Sequence, residues 1–131
     1  MRLLADTHIL LMILKETPDR LPVPLREALA DESNEILASA VSLWEIALKW
    51  QLGKLPLAME PAILPMALAR LGVPVLPLTP AQAVHSPATM PATKDPFDRM
   101  LLAQCELEGL ALLTLDRALL DHPLVWPRAS A

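Results

Sequence analysis

Cysteine and glycine are scarce in this chain of 131 residues. The single cysteine, Cys105, permits no intramolecular disulfide and no cysteine-based metal site, a usage that suits a reducing compartment. Three glycines are too few for a glycine-rich loop that cradles phosphate, and no Gly-x-Ser-x-Gly turn occurs. Long apolar runs are missing too. The longest covers residues 9–14 between His8 and Lys15, far short of the roughly 20 residues that cross a bilayer. Met1-Arg2 and the apolar residues after it begin as a secretory leader would, yet Asp6 and His8 split the apolar stretch and no small-residue cleavage site follows. A cytoplasmic protein without a membrane partner is expected. Positive charge is in deficit as well: 11 Lys and Arg stand against 15 Asp and Glu, for a net charge of −4. Broad neutralisation of nucleic-acid phosphates is thereby disfavoured, and any chemistry on a polyanion must be local, with carboxylates holding divalent cations that face the phosphate.

What is present is apolar. Hydrophobic residues make up 53% of the chain, which excludes intrinsic disorder, and the length suits one domain over residues 1–131 with a substantial core. A mean hydropathy of +0.39 with only 20% charged residues leaves more apolar surface than a small monomer hides, so a homodimer is expected.

Leu3-Leu4-Ala5 ends at Asp6 and leads into an apolar stretch to Leu14, which reads as a buried strand running into a helix. Pro22 and Pro24 open a short helix over 25–30, closed by the polar turn at 31–34. Residues 35–38 form a second strand, and Ser39 or Ser42 caps a periodic helix over 41–52 that Gly53 ends. The proline-rich stretch 56–96 is no linker, because it encloses a helix at about 62–71 and a strand over 73–78. Asp95 as cap, Pro96 at the first helical position and Asp98 in the first turn open a helix over 96–108. The apolar run 110–115, ending at Asp116, suits a strand buried on both faces, with a last short strand around Val125. This alternation indicates an α/β fold: an α/β/α sandwich with a mostly parallel central sheet.

In such sheets ligands bind beyond the carboxyl ends of the strands. Asp6 and Asp116 each close a predicted strand, Asp98 enters from the first turn of the helix before the last strand, and Glu45 lies in the helix after the second. Four acids can therefore converge. Like charges at close range are costly without a cation, and hard oxygen donors suit Mg²⁺ or Mn²⁺ rather than zinc. Each acid also has a plainer explanation. Asp98 suits a helix dipole, Asp116 can cap a short helix over 117–120, and Glu45 with Lys49 forms an i,i+4 pair that is often only a solvated salt bridge. Asp6 fits the plainer account least, since an acid between Leu3-Leu4-Ala5 and Ile9-Leu10-Leu11 is expected to be partly buried and to need a partner.

The other polar candidates are weaker. His8 can bind metal or phosphate but more simply starts a helix, and His85 and His122 lack the spacing of a zinc site. Thr7 and Thr114 flank two acids and either assist them or cap. Asp95 is an N-cap first and an outer ligand second. Trp44 and Trp50 raise the idea of base stacking, though on an apolar helix at least one is expected in the core or a dimer interface.

Four stretches together resemble the PIN-domain ribonucleases, and more narrowly the VapC-type toxins of bacterial toxin–antitoxin pairs. They are Leu3-Leu4-Ala5-Asp6-Thr7-His8, Ser42-Leu43-Trp44-Glu45-Ile46-Ala47-Leu48-Lys49 with Leu52-Gly53-Lys54-Leu55 after it, Lys94-Asp95-Pro96-Phe97-Asp98-Arg99-Met100-Leu101-Leu102-Ala103-Gln104, and Leu113-Thr114-Leu115-Asp116. The resemblance covers essentially the whole chain in order. It implies a metal-binding core of Asp6, Glu45 and Asp98 with Asp116 as a fourth acid, and cleavage of RNA with Mg²⁺ or Mn²⁺. It also implies a homodimer, silenced by an antitoxin whose C-terminal segment wraps the toxin and reaches its site. Lys49 and Arg99 are candidates for the phosphate side. Relatives often carry His just before the Lys-Asp-Pro-Phe-Asp run, where this chain has Ala92 and Thr93. That departure touches substrate contact or loop geometry and leaves the acids intact. A non-catalytic interaction domain with a structural cation, or a nuclease acting on structured DNA, is the alternative at this point.

Overall fold

The computed structural model describes residues 1–127. Four parallel strands, β1 (Arg2–Ala5), β2 (Glu35–Ser39), β3 (Val75–Leu76) and β4 (Ala111–Leu113), lie in the order β3-β2-β1-β4. The helices are α1 (Thr7–Leu14), α2 (Val23–Ala30), α3 (Ala40–Gln51), α4 (Leu64–Arg70), α5 (Pro80–Val84) and α6 (Pro96–Glu108), with single 3₁₀ turns at Pro18–Arg20 and Pro61–Ile63.

Successive residues of a strand point to opposite faces, and here both faces are apolar. Leu3, Ala5, Ile36, Ala38, Ala111 and Leu113 pack with Ile9 and Leu10 of α1, Leu25 of α2, Ile46 of α3 and Leu64 and Leu68 of α4. Leu4, Leu37, Leu76 and Leu112 face the other way, onto Leu101, Leu102 and Cys105 of α6 together with Leu119 and Val125. The sheet is therefore covered on both sides, the expected α/β/α sandwich. No helix among the described residues is long and apolar enough to cross a membrane.

Several boundaries differ from the sequence reading. Helix α2 starts at Val23 rather than 25, because Pro24 needs no amide donor in a first turn. A 3₁₀ turn takes up the start expected at 62, and α4 runs from Leu64 with Pro65 also in the first turn. The strand expected over 73–78 pairs only at Val75–Leu76, and that over 110–115 only at Ala111–Leu113. The strand around Val125 is a single bridge to Leu112, and residues 117–120 are turns rather than a helix. Helix α5 was not anticipated. It is held by a reciprocal cap in which Thr79 accepts from the Gln82 amide and Gln82 accepts from the Thr79 amide, both at 3.1 Å. Helix α6 stops at Gly109, whose φ of +68° a side chain would strain.

Strand order places the site. The chain runs outward from β1 through β2 to β3 and then returns to pair β4 on the opposite side of β1. A crevice opens at such a reversal, beyond the carboxyl ends of β1 and β4. The Asp6 amide donates to the Leu113 carbonyl at 3.0 Å, fixing these two ends side by side.

Candidate functional site

A cavity of about 400 Å³ lies at that crevice, lined by Asp6, Thr7, His8, Glu45, Asp95, Asp98, Leu115 and Asp116. All four acids singled out in the sequence are on its wall, brought from the end of β1, the middle of α3, the first turn of α6 and the loop after β4.

Asp6 is 7% exposed and caps α1, its Oδ1 accepting from the Ile9 amide at 2.9 Å. The Thr114 side chain also hydrogen-bonds it, so the partners expected for a buried carboxylate are a helix N-terminus and a threonine. Burial still pushes its carboxyl above the usual range. The amide of Ile9, Thr114 and His8 pull it back, and Asp116 adds to the rise. The Thr114 hydroxyl in turn accepts from the Asp116 amide at 3.0 Å, tying the two acids into one corner. Asp116 itself is exposed, with Oδ1 accepting from the Ala118 amide at 3.0 Å.

Glu45 is 6% exposed, and both its oxygens are engaged. Oε1 accepts from the Thr7 hydroxyl at 2.6 Å, and Oε2 forms an ion pair with Lys49 one helical turn on. The i,i+4 pair exists as the plainer reading had it, but its acid is buried in a cavity wall rather than solvated. Because Glu45 is taken out of water, losing one donor leaves an acceptor unsatisfied. Thr7→Val is expected to lower stability by about 1–3 kcal/mol, measured as a shift of the urea midpoint with an unchanged slope.

Asp98 decides between capping and clustering. Helix α6 is capped by Asp95, whose Oδ1 accepts from the Phe97 amide at 2.9 Å, and Asp98 is half-buried in the turn that follows. A helix N-terminus alone would hold an acid low. Instead the Asp98 carboxyl is pushed up to about 7, first by burial and then by the charges of Asp95, Asp116, Asp6 and Glu45. Burial, with the acidic neighbours adding to it, outweighs the dipole.

The remaining candidates divide. His8 is exposed at the cavity, whereas His85 pairs with Glu106 at 2.7 Å and the His122 ring meets the Thr89 carbonyl at 2.7 Å, both outside the cavity lining. Arg99 makes no ion pair among the described residues. Neither Trp44 nor Trp50 is in the core, their exposures being 59% and 38%. Sequence reasoning gave Asp95 only a peripheral place, yet it lines the cavity and raises Asp98. The network from Thr7 to Glu45 and Ser42 was also missed, since residues 35 or more positions apart meet only through the sheet order.

Comparison with known families settles the lineage. The PIN domain model matches residues 3–123. The chain belongs to the PIN domain family. No curated protein matches it in sequence. Among solved structures, this PIN domain is similar to a chain in the crystal structure of VapBC2 from Rickettsia felis bound to a DNA fragment from their promoter. The TM-score is 0.56 and the identity 13%, over 95% of this chain and 96% of that one. At that identity the likeness is one of fold.

Whether these side chains suit a divalent cation can be judged from the donors. They are hard carboxylate oxygens, and burial together with the neighbouring acids raises Asp98, a cost that a bound dication relieves. Among the described residues no three His, Cys, Asp or Glu side chains already close on a common point. Asp6 and Glu45 keep protein partners.

Proposed function

We propose that this PIN domain is a cytoplasmic, divalent-metal-dependent endoribonuclease, the toxin of a toxin–antitoxin pair. The observation that carries the reading is the convergence of Asp6, Glu45, Asp98 and Asp116 on one cavity at the β1/β4 reversal, with Asp98 pushed up to about 7 by burial and its acidic neighbours. These four acids would hold Mg²⁺ or Mn²⁺, which supplies Lewis acidity and positive charge toward a phosphodiester. The chain's own residues do the positioning. Thr7 and Lys49 fix the Glu45 carboxylate, Thr114 couples Asp6 to Asp116, and the α1 N-terminus orients Asp6. Exposed His8 and Asp116 mark the side from which a phosphate backbone reaches the cavity. Fold similarity to a chain of a VapBC complex supports a cognate antitoxin as partner.

The test is incubation of the purified protein with an RNA pool in Mn²⁺ or in chelator, followed by mapping of the cleaved ends. Discrete ends only with Mn²⁺ are expected; cleavage that persists in chelator, or none on RNA with cutting of structured DNA, sinks the reading. A homodimer belongs to the same proposal, because the described residues leave Met66, Val84, Met90 and Leu120 at least half exposed. Light scattering is expected to give twice the 14.3 kDa chain mass, and a stable, soluble monomer at micromolar concentration contradicts it.

A further inference from the structure

Trp44 directly precedes Glu45 on α3, and Phe97 directly precedes Asp98 on α6. Their rings meet with centroids 5.4 Å apart at an interplanar angle of 54°. The aromatic pair thus bridges the same two helices that deliver Glu45 and Asp98, beside the cavity and outside its lining. Trp44 is 59% exposed and Phe97 is partly buried, so one ring is anchored and the other presents its surface to solvent. Trp50 is exposed as well, but it is Trp44 whose ring leans across to α6 and meets Phe97. A tryptophan held in this way stacks a planar group at little cost in side-chain order.

We infer that Trp44, backed by Phe97, is a stacking subsite for an unpaired RNA base next to the phosphate at the acid cavity. The inference rests on the RNA-cleaving reading of that cavity. It also answers a physical difficulty of that reading. A chain of net charge −4 gains little from general attraction to a polyanion beyond what a bound cation supplies at the cut phosphate, so a contact independent of charge adds to its hold on RNA. Base stacking supplies such a hold and tolerates any base, since every base has a π-face. It also restricts the substrate to single-stranded RNA, whose bases are free to splay.

The experiment uses a short single-stranded RNA that the wild type cleaves, together with a series carrying one abasic nucleotide at each position around the cut. Trp44→Ala is expected to raise KM about 5- to 150-fold with kcat changed less than threefold, and Trp44→Phe to recover most of the loss. One abasic position should reproduce the KM defect in the wild type and add nothing further in Trp44→Ala. Unchanged KM in Trp44→Ala, or abasic losses that add to it at every position, overturns the inference. So does conversion of a dimer to a monomer by Trp44→Ala, which makes the ring an interface between two copies of the chain. Binding of short single-stranded RNAs, chosen whether or not the wild type cuts them, to Asp98→Asn protein, read by quenching of tryptophan emission, separates the two proposals. Quenching that depends on Trp44 without any cutting by the wild type defeats the nuclease reading alone, and cutting without dependence on Trp44 defeats this one alone.

Discussion

If the cavity is the proposed nuclease site, Asp98→Asn is expected to lower RNA cleavage by at least about 10²-fold while the protein stays folded, because one of the acids that would hold the cation is gone. The fold survives because Asp98 is not the cap of α6; Asp95 is. The amide side chain forgoes a favourable dipole contact of about 0.3–1 kcal/mol but also escapes four acidic neighbours. Two controls separate charge from architecture. Asp6→Asn retains a side chain that caps α1 as well as aspartate does, so its expected loss of cleavage reports the missing charge. Asp95→Ala deletes the cap and costs about 1 kcal/mol of stability, with a much smaller effect on cleavage. Initial rates with Mn²⁺ and urea melts of all three variants check this. An Asp98→Asn protein that cuts at nearly the wild-type rate makes Asp98 a helix-terminal acid and nothing more.

The second large effect is on the pH dependence of the metal-free fold. The carboxyl of Asp98 moves from 3.8 to about 7 on folding, so between those values the folded chain holds a proton that the unfolded chain has released. Stability from this group is complete below about pH 4, declines as pH rises and is gone above about 7. Asp6, also raised, acts in the same direction. Asp31, held low by Ser33, and Glu106, held low by His85, act oppositely, with stability lost as pH falls below the ordinary carboxylate range. The interval from pH 5 to 7.5 lies above the range in which those two act, and comparison with Asp98→Asn cancels what the histidines contribute. In chelator the melting temperature of the wild type is expected to fall across it, and that of Asp98→Asn to fall much less. Mn²⁺ affinity is expected to move the other way, weakening below about pH 7 as protons compete for the same oxygens. A wild-type melting temperature that rises across the interval contradicts the raised Asp98 and Asp6 carboxyls from which the expectation follows.

The architecture was legible because both periodicities are strong. Leu3, Leu4 and Ala5 before Asp6, and the apolar run before Asp116, read as buried strands, and Asp95-Pro96 announced α6 in the place it occupies. Strand ends were less legible. Leu110 and Leu115 are as apolar as their neighbours, but only residues 111–113 find a ladder partner in β1. Helix α5 escaped notice because five residues carry too little periodicity, although Thr79-Pro80-Ala81-Gln82 contains the reciprocal cap that starts it. For the cavity, residue types and strand ends allowed the four acids to converge without excluding separate caps and surface pairs, and resemblance named the set. The structure places both descriptions in the same residues. Asp6 caps α1, Glu45 pairs with Lys49, and both line the cavity with Asp98 and Asp116. No local pattern could report this, because Thr7 reaches Glu45 and Trp44 reaches Phe97 through strand order and helix packing.

The most direct test needs no substrate: thermal melts of wild type and Asp98→Asn at pH 8, each in chelator and in excess Mn²⁺. A carboxylate cluster that holds a cation predicts that the variant melts higher than the wild type in chelator, since one repelling charge is gone. At ten times its dissociation constant Mn²⁺ adds about 1.4 kcal/mol to the wild type, from RT ln(1 + [L]/Kd), and much less to the variant. The order of the two melting temperatures then converges or reverses with metal. Parallel curves, with the variant lower throughout and neither protein responding to Mn²⁺, contradict a metal site at this cavity.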